Sequence, residues 1–78
     1  MQAHTIEQTV QEAMQVAHCQ ATVDGSHVDL LVVSDEFNGL TPLKRQQRIY
    51  GLFNNAIKSG DIHALNMKLY TLDQWQAL

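Results

Sequence analysis

The stretch His18-Cys19-Gln20-Ala21-Thr22-Val23-Asp24-Gly25-Ser26-His27-Val28-Asp29-Leu30-Leu31-Val32-Val33-Ser34 decides the fold. Two runs with strand character flank an Asp-Gly step. Glycine takes a positive φ without penalty, so such a step between apolar runs signals a β-hairpin. The reading is a strand over His18–Val23, a turn at Asp24-Gly25-Ser26 and a second strand over His27–Ser34. Within the second strand, Val28, Leu30 and Val32 alternate with Asp29, Leu31 and Val33. One face is wholly apolar and the other partly so, which suits a central strand packed on one side.

Helical patterns lie on both sides of the hairpin. Ahead of it, Ile6, Val10, Met14 and Ala17 recur at spacings of four, four and three, predicting a helix from about Ile6 to Ala17. Thr5 and Gln8 stand at capping-box spacing. Behind the hairpin, Asp35–Leu40 reads as a connection. Thr41 as N-cap and Pro42 at the first helical position then open a second helix. Its apolar face is Ile49, Tyr50, Phe53, Ala56 and Ile57. Lys44, Arg45, Gln46, Gln47 and Arg48 form its polar first half, and Gly60 ends it as a C-terminal cap. Ile62–Tyr70 reads as a third strand. Thr71 and Gln74 open a short last helix that carries Trp75. The order α-β-β-α-β-α describes one two-layer α+β domain over residues 1–78, in which the third strand can run parallel to a hairpin strand.

Bulk properties narrow the function. A chain of 78 residues makes one domain with a thin core, since domains this small bury only about 60% of their unfolded surface. With 45% hydrophobic and 17% charged residues it reads as globular rather than disordered. No apolar run approaches the roughly 20 residues of a spanning helix. The start Met1-Gln2-Ala3-His4-Thr5-Ile6-Glu7 lacks the marks of a signal peptide, so a cytoplasmic protein without a membrane partner is expected. A net charge of −3 argues against nonspecific nucleic-acid binding, although Lys44, Arg45 and Arg48 fall within five positions. A single cysteine, Cys19, suits a reducing compartment and excludes an all-cysteine zinc or iron–sulfur site within one chain. There is no Gly-rich phosphate loop, Ser nucleophile motif or His-Glu-x-x-His, so no enzyme activity is expected.

The histidines are His4, His18, His27 and His63. His27 opens the second strand and His63 the third. If those strands are parallel and adjacent, both imidazoles come to one end of the sheet. Two histidines fill half of a four-coordinate site, and a partner or a small thiol must supply the rest. On spacing alone, each histidine reads more readily as an ordinary surface residue than as a ligand. His63 also shares strand parity with Leu65, Met67 and Leu69, so an accessible His63 must lie beyond the covered part of the sheet. Cys19 is either another soft donor or a small buried hydrophobe. The Lys44–Arg48 cluster is either a phosphate-contacting patch or a solvated helix face. Gly25, Gly39, Gly51 and Gly60 are never three apart, so the Gly-x-x-Gly clamp of RNA-binding KH domains is missing.

Several of these pieces together resemble the BolA family. They are Asp24-Gly25-Ser26-His27, then Val32-Val33-Ser34-Asp35-Glu36-Phe37-Asn38-Gly39-Leu40, and Arg45-Gln46-Gln47 ahead of Ile49-Tyr50. Ile62-His63-Ala64-Leu65 and Thr71-Leu72-Asp73-Gln74-Trp75 complete the set. They stand in family order over roughly Thr5 to Trp75, and the wording looks closest to the bacterial acid-stress branch. The resemblance implies a KH-like class II arrangement without its Gly-x-x-Gly loop. It implies a monothiol glutaredoxin as partner, and a [2Fe-2S] cluster shared with that protein and glutathione. The isolated chain, a monomer or weak homodimer, would carry no cluster. By the resemblance, His63 matches the C-terminal ligand and His27 the second ligand, with Cys19 a weak alternative. Family members are also described as stress-responsive DNA-binding regulators. The alternative reading is therefore a transcriptional regulator using Lys44, Arg45 and Arg48.

Overall fold

The computed structural model describes residues 1–78. The elements in chain order are α1 (Ala3–Ala13), β1 (His18–Asp24), β2 (His27–Val33), a 3₁₀ turn (Asp35–Phe37), α2 (Pro42–Leu52), α3 (Asn54–Ser59), β3 (Ala64–Tyr70) and α4 (Leu72–Gln76). The three strands form one sheet in the order β1-β2-β3. The expected mixed two-layer architecture is present.

The hairpin forms where expected, but the turn is Gly25-Ser26 and Asp24 belongs to β1 rather than to the turn. Asp24 pairs with His27, leaving Gly25 and Ser26 as a two-residue turn. Gly25 has φ +61° and Ser26 does not have a positive φ, which fits the type II′ turn. β1 and β2 are antiparallel, with Ala21 opposite Leu30. β2 and β3 are parallel, with His27 opposite Ala64 and Val33 opposite Tyr70. The strand period of two sends Val28, Leu30 and Val32 into the core, while Asp29 faces out with Gln20 and Thr22. Ile6 and Val10 from α1, Phe37 after the hairpin, Ile49 and Phe53 from the middle helices, and Ile62 cover that inner face.

The hairpin strands end within one residue of expectation, at Asp24 and Val33, and three larger departures follow. First, α1 starts earlier and ends at Ala13 rather than Ala17. The Thr5–Gln8 box does not form: Thr5 lies inside the helix, and its carbonyl accepts the Thr9 hydroxyl at 2.8 Å. Beyond Ala13 the chain turns extended at Met14 because neighbouring segments take its polar groups. The Gln15 N–H donates to the Glu36 carboxylate, the Ser34 hydroxyl donates to the Gln15 carbonyl, and the Ala17 N–H donates to the Val33 carbonyl at 2.7 Å.

Second, the long middle helix is two helices. Phe53 leaves the helical region at φ −121°, ψ 16°, and its N–H bonds three residues back to the Tyr50 carbonyl. Gly51, Asn54 and Asn55 are weak helix formers at this point. The bend keeps Ile49 and Phe53 in the core but leaves Tyr50 and Ile57 exposed, against their expected core placement. Third, β3 starts at Ala64 rather than Ile62. Ile62 is buried, yet its N–H bonds to the Ala56 carbonyl at 3.1 Å instead of joining a strand. The expected caps at Thr41, Gly60 and Thr71 all form; Gly60 is left-handed at φ +84°, and Thr71–Gln74 makes the full capping box.

Glu36 joins α1's exit, the 3₁₀ turn and α2. Its carboxylate accepts the Gln15 N–H and pairs with Arg48. The Gln15 backbone bond, then the Arg48 hydrogen bond, hold its pKa below the ordinary carboxylate value. A depressed folded-state pKa contributes stability above the unfolded value, and that contribution is lost as pH falls through the folded value. Glu36→Gln should therefore lower the urea midpoint at pH 7, and the gap from the parent should close as the solution is taken below about pH 4. A gap that stayed constant across this range would show that the carboxylate charge plays no part.

Candidate functional site

The β2–β3 register determines which candidate residues meet. His27 is the first residue of β2 and lies opposite Ala64, so His63 sits one residue before β3 at the same end of the sheet. The turn fixes that placement. The Ser26 carbonyl accepts the His63 N–H at 2.8 Å and the Ala64 N–H at 3.4 Å. His63 lies in a bend rather than in the pleat, and it is exposed although its neighbour Ile62 is buried. This resolves the parity conflict: strand alternation would have turned His63 inward with Leu65, but the strand has not yet begun. His27 is also exposed, on the outer face with Asp29. The two imidazoles therefore share the end of the sheet rather than one of its faces.

Two residues that sequence reading did not assign to the site hold His63 in place. Ser26 acts through its backbone carbonyl, which leaves no side-chain signal. Gly60 was legible as a helix cap, but it also leaves room for the imidazole. A Cβ at Gly60 would lie 3.0 Å from His63 Nε2 and 3.6 Å from Cδ2. Neither His27 nor His63 hydrogen-bonds through its ring, and the only ion pair in the chain is Arg48–Glu36. Ring nitrogens at this end thus have no internal partner. No three His, Cys, Asp or Glu side chains converge to hold a metal ion, so a metal here would need donors from another molecule.

The structure does not bring Cys19 to this end. Cys19 pairs with Val32, five residues along β1 from Asp24 at the hairpin end. At strand rise that is roughly 17 Å away. Within this chain it therefore stands apart from the end that carries His27 and His63. Its thiol is half-buried against the core, and burial, aided by Glu7, pushes its pKa up to about 11. The thiolate is the ligand and nucleophile, and a raised pKa keeps this thiol protonated near neutral pH. His18 stacks on Trp75 with ring centroids 5.4 Å apart, and His4 lies on exposed α1.

The basic cluster is mostly occupied within the fold. Arg45 Nε donates to the Leu40 carbonyl, and its Nη1 donates to the Leu69 carbonyl and to Gln74 Oε1 at 3.1 and 2.8 Å. Its guanidinium also lies over the Phe37 ring, 5.8 Å from the centroid. Arg48 is paired with Glu36. Of the three cations, Lys44 alone has no side-chain partner.

The family profile for BolA-like proteins matches residues 2–74. The chain is 31% identical to the acid stress protein IbaG of Escherichia coli, over 96% of this chain and 89% of that protein. It is 38% identical to the DNA-binding transcriptional regulator BolA of Haemophilus influenzae, over 67% of this chain and 50% of that one. A BolA homologue from Coxiella burnetii superposes with a TM-score of 0.79 at 32% identity, covering 97% of each chain. No helix of the structure is long and apolar enough to cross a membrane.

Two outcomes follow from this geometry. At pH 8, iodoacetamide should alkylate Cys19 far more slowly in the native chain than in urea, since two units of pKa lower the thiolate fraction about 100-fold. Equal rates would mean that the thiol is neither buried nor shifted. Gly60→Ala combines a strained positive φ with the 3.0 Å approach to His63, and should cost about 1 kcal/mol or more. The His63 ring signals should move in its proton NMR spectrum, while those of His4 and His18 stay in place.

Proposed function

The chain belongs to the BolA family, and on that premise we propose that it is a cytoplasmic, non-enzymatic adaptor that pairs with a monothiol glutaredoxin and co-ligates a bridging [2Fe-2S] cluster. The observation that carries this reading is the parallel β2–β3 register, which brings His27 and His63 to one exposed end of the sheet. Two ring nitrogens without internal partners match half of a shared ligand set. The partner's cysteine and glutathione would supply the thiolates. Imidazole in place of thiolate raises a cluster's potential and makes its ligation sensitive to protons, which suits cluster transfer or iron and stress sensing.

This chain's own residues have defined tasks in that reading. Ser26 and Gly60 orient His63. The hairpin turn presents His27. The edge-on arrangement leaves room for a partner to approach along the strand direction. The alternative, a stress-responsive DNA-binding regulator, draws support from the name of the Haemophilus influenzae relative. It has less physical support here, because Arg45 and Arg48 are engaged internally and the chain carries a net charge of −3.

The test is reconstitution with a monothiol glutaredoxin, glutathione, iron and sulfide, followed by visible absorption, circular dichroism and size exclusion. A heterodimer with a spectrum unlike that of glutaredoxin alone is expected. His63→Ala should abolish that spectrum, His27→Ala should alter or abolish it, and Cys19→Ser should leave it unchanged. If only the glutaredoxin homodimer spectrum appears, with no complex, the reading is wrong. A complex that forms without iron and survives loss of both histidines would replace it with a metal-free scaffold.

A further inference from the structure

The two edges of the sheet are treated differently. β1 is guarded: α1 packs along it, and Glu7 accepts the Ala21 N–H at 2.8 Å. β3 is nearly bare. The Tyr70 carbonyl points toward β2, where it accepts the Ser34 N–H at 2.9 Å, while the adjacent Leu69 carbonyl is met from outside by Arg45. Alternation along the strand therefore directs the backbone groups of Leu65, Met67 and Leu69 away from β2. β3 has no second strand neighbour, so Arg45 blocks one acceptor and the rest of this ladder is unpaired. Exposed ladders of this kind are templates for another strand.

Beside this edge runs a groove of about 250 Å³ between the start of α2 and β3, lined by Pro42, Arg45, Gln46, Met67 and Leu69 among others. Leu65, Met67 and Leu69 are half-buried at alternate positions, which gives an added strand apolar surface at its own period. Lys68 lines the groove, and Lys44 stands in the first turn of α2, between Pro42 and Arg45 in sequence; both lysines are exposed and take part in no ion pair. A second copy of the chain would bring these like charges to one junction. An acidic segment would find complementary charge.

We propose that the β3 edge from Leu65 to Leu69 is a docking site for an extended acidic peptide of a partner protein, which adds to the sheet as a fourth strand. Main-chain hydrogen bonds hold it, the groove beside Met67 and Leu69 takes its apolar side chains, and Lys44 and Lys68 select its carboxylates. The Leu69 end of this edge is separated from the His63 end by most of the strand. Ala64 to Tyr70 spans six steps, roughly 20 Å. A peptide held at the Leu69 end therefore lies most of a strand length from His63, whereas one reaching Leu65 comes within two residues of it.

The experiment titrates the ¹⁵N-labelled full chain, without iron or glutaredoxin, with the octapeptide acetyl-Val-Glu-Val-Asp-Val-Glu-Val-Asp-amide. Amide shifts concentrated on residues 65–69, with slowed exchange of the Met67 and Leu69 N–H groups, are expected. The same peptide N-methylated at alternate amides should not bind. Lys44→Glu combined with Lys68→Glu should weaken binding about tenfold or more, with the fold intact by circular dichroism. Equal binding of the N-methylated peptide, shifts confined to other surfaces, or no binding at millimolar peptide would each overturn the proposal. So would concentration-dependent self-association that protects the same amides, which would assign the edge to a second copy. Because neither histidine is probed, this result stands apart from the cluster reading.

Discussion

Everything downstream of the hairpin depends on the parallel pairing of β3 with β2. A hairpin alone is marginal in water, and a third strand with covering helices is what lets its apolar face be buried. A parallel partner cannot be reached by a tight turn. The chain must cross over the sheet, and the segment from Ser34 to His63 does so as a 3₁₀ turn and two helices. That crossing supplies Phe37, Ile49, Phe53 and Ile62 to the core. The same constraint that completes the core also returns the chain to the hairpin end, where His63 meets Ser26.

The polar side chains are organised around that crossing. Arg45 ties α2 to the end of β3 and to α4, while Glu36 ties the 3₁₀ turn to α2 and to the exit of α1. Ser34 is wholly buried, yet it is satisfied on both sides: its hydroxyl donates to the Gln15 carbonyl and accepts the Glu36 N–H. No buried side-chain polar atom lacks a partner. In a domain with so thin a core, an unpaired buried group would cost a large share of the net stability. The arginines of the basic cluster are thus part of the architecture, which weakens their reading as a phosphate-binding patch.

The opposite holds at the sheet's hairpin end and along β3's outer edge. Polar groups there are left without internal partners, at His27, at His63 and along the backbone of Leu65 and Met67. A fold that satisfies its interior so fully leaves open groups where other molecules can reach them. One end offers ring nitrogens without internal partners, and one edge offers a hydrogen-bonding ladder.

Local patterns determined much of this protein by themselves. The Asp-Gly hairpin, the alternation of β2, the caps at Thr41, Gly60 and Thr71, and the α+β order are all short-range consequences of residue chemistry. The pairing of His27 and His63 at one end was legible too, as a consequence of a parallel third strand. What the chain could not disclose locally was where tertiary bonds would override propensity. The end of α1 at Ala13 is set by Glu36 and Ser34, more than twenty positions away. The break at Phe53 is set by the need to keep Ile49, Phe53 and Ile62 in one core. The distance of Cys19 from the histidine end follows from hairpin register, and the absorption of Arg45 and Arg48 follows from the docking of α2 beside β3 and the 3₁₀ turn. For α1 and for the two arginines the deciding partner is distant in sequence, and only folding brings it within hydrogen-bonding range.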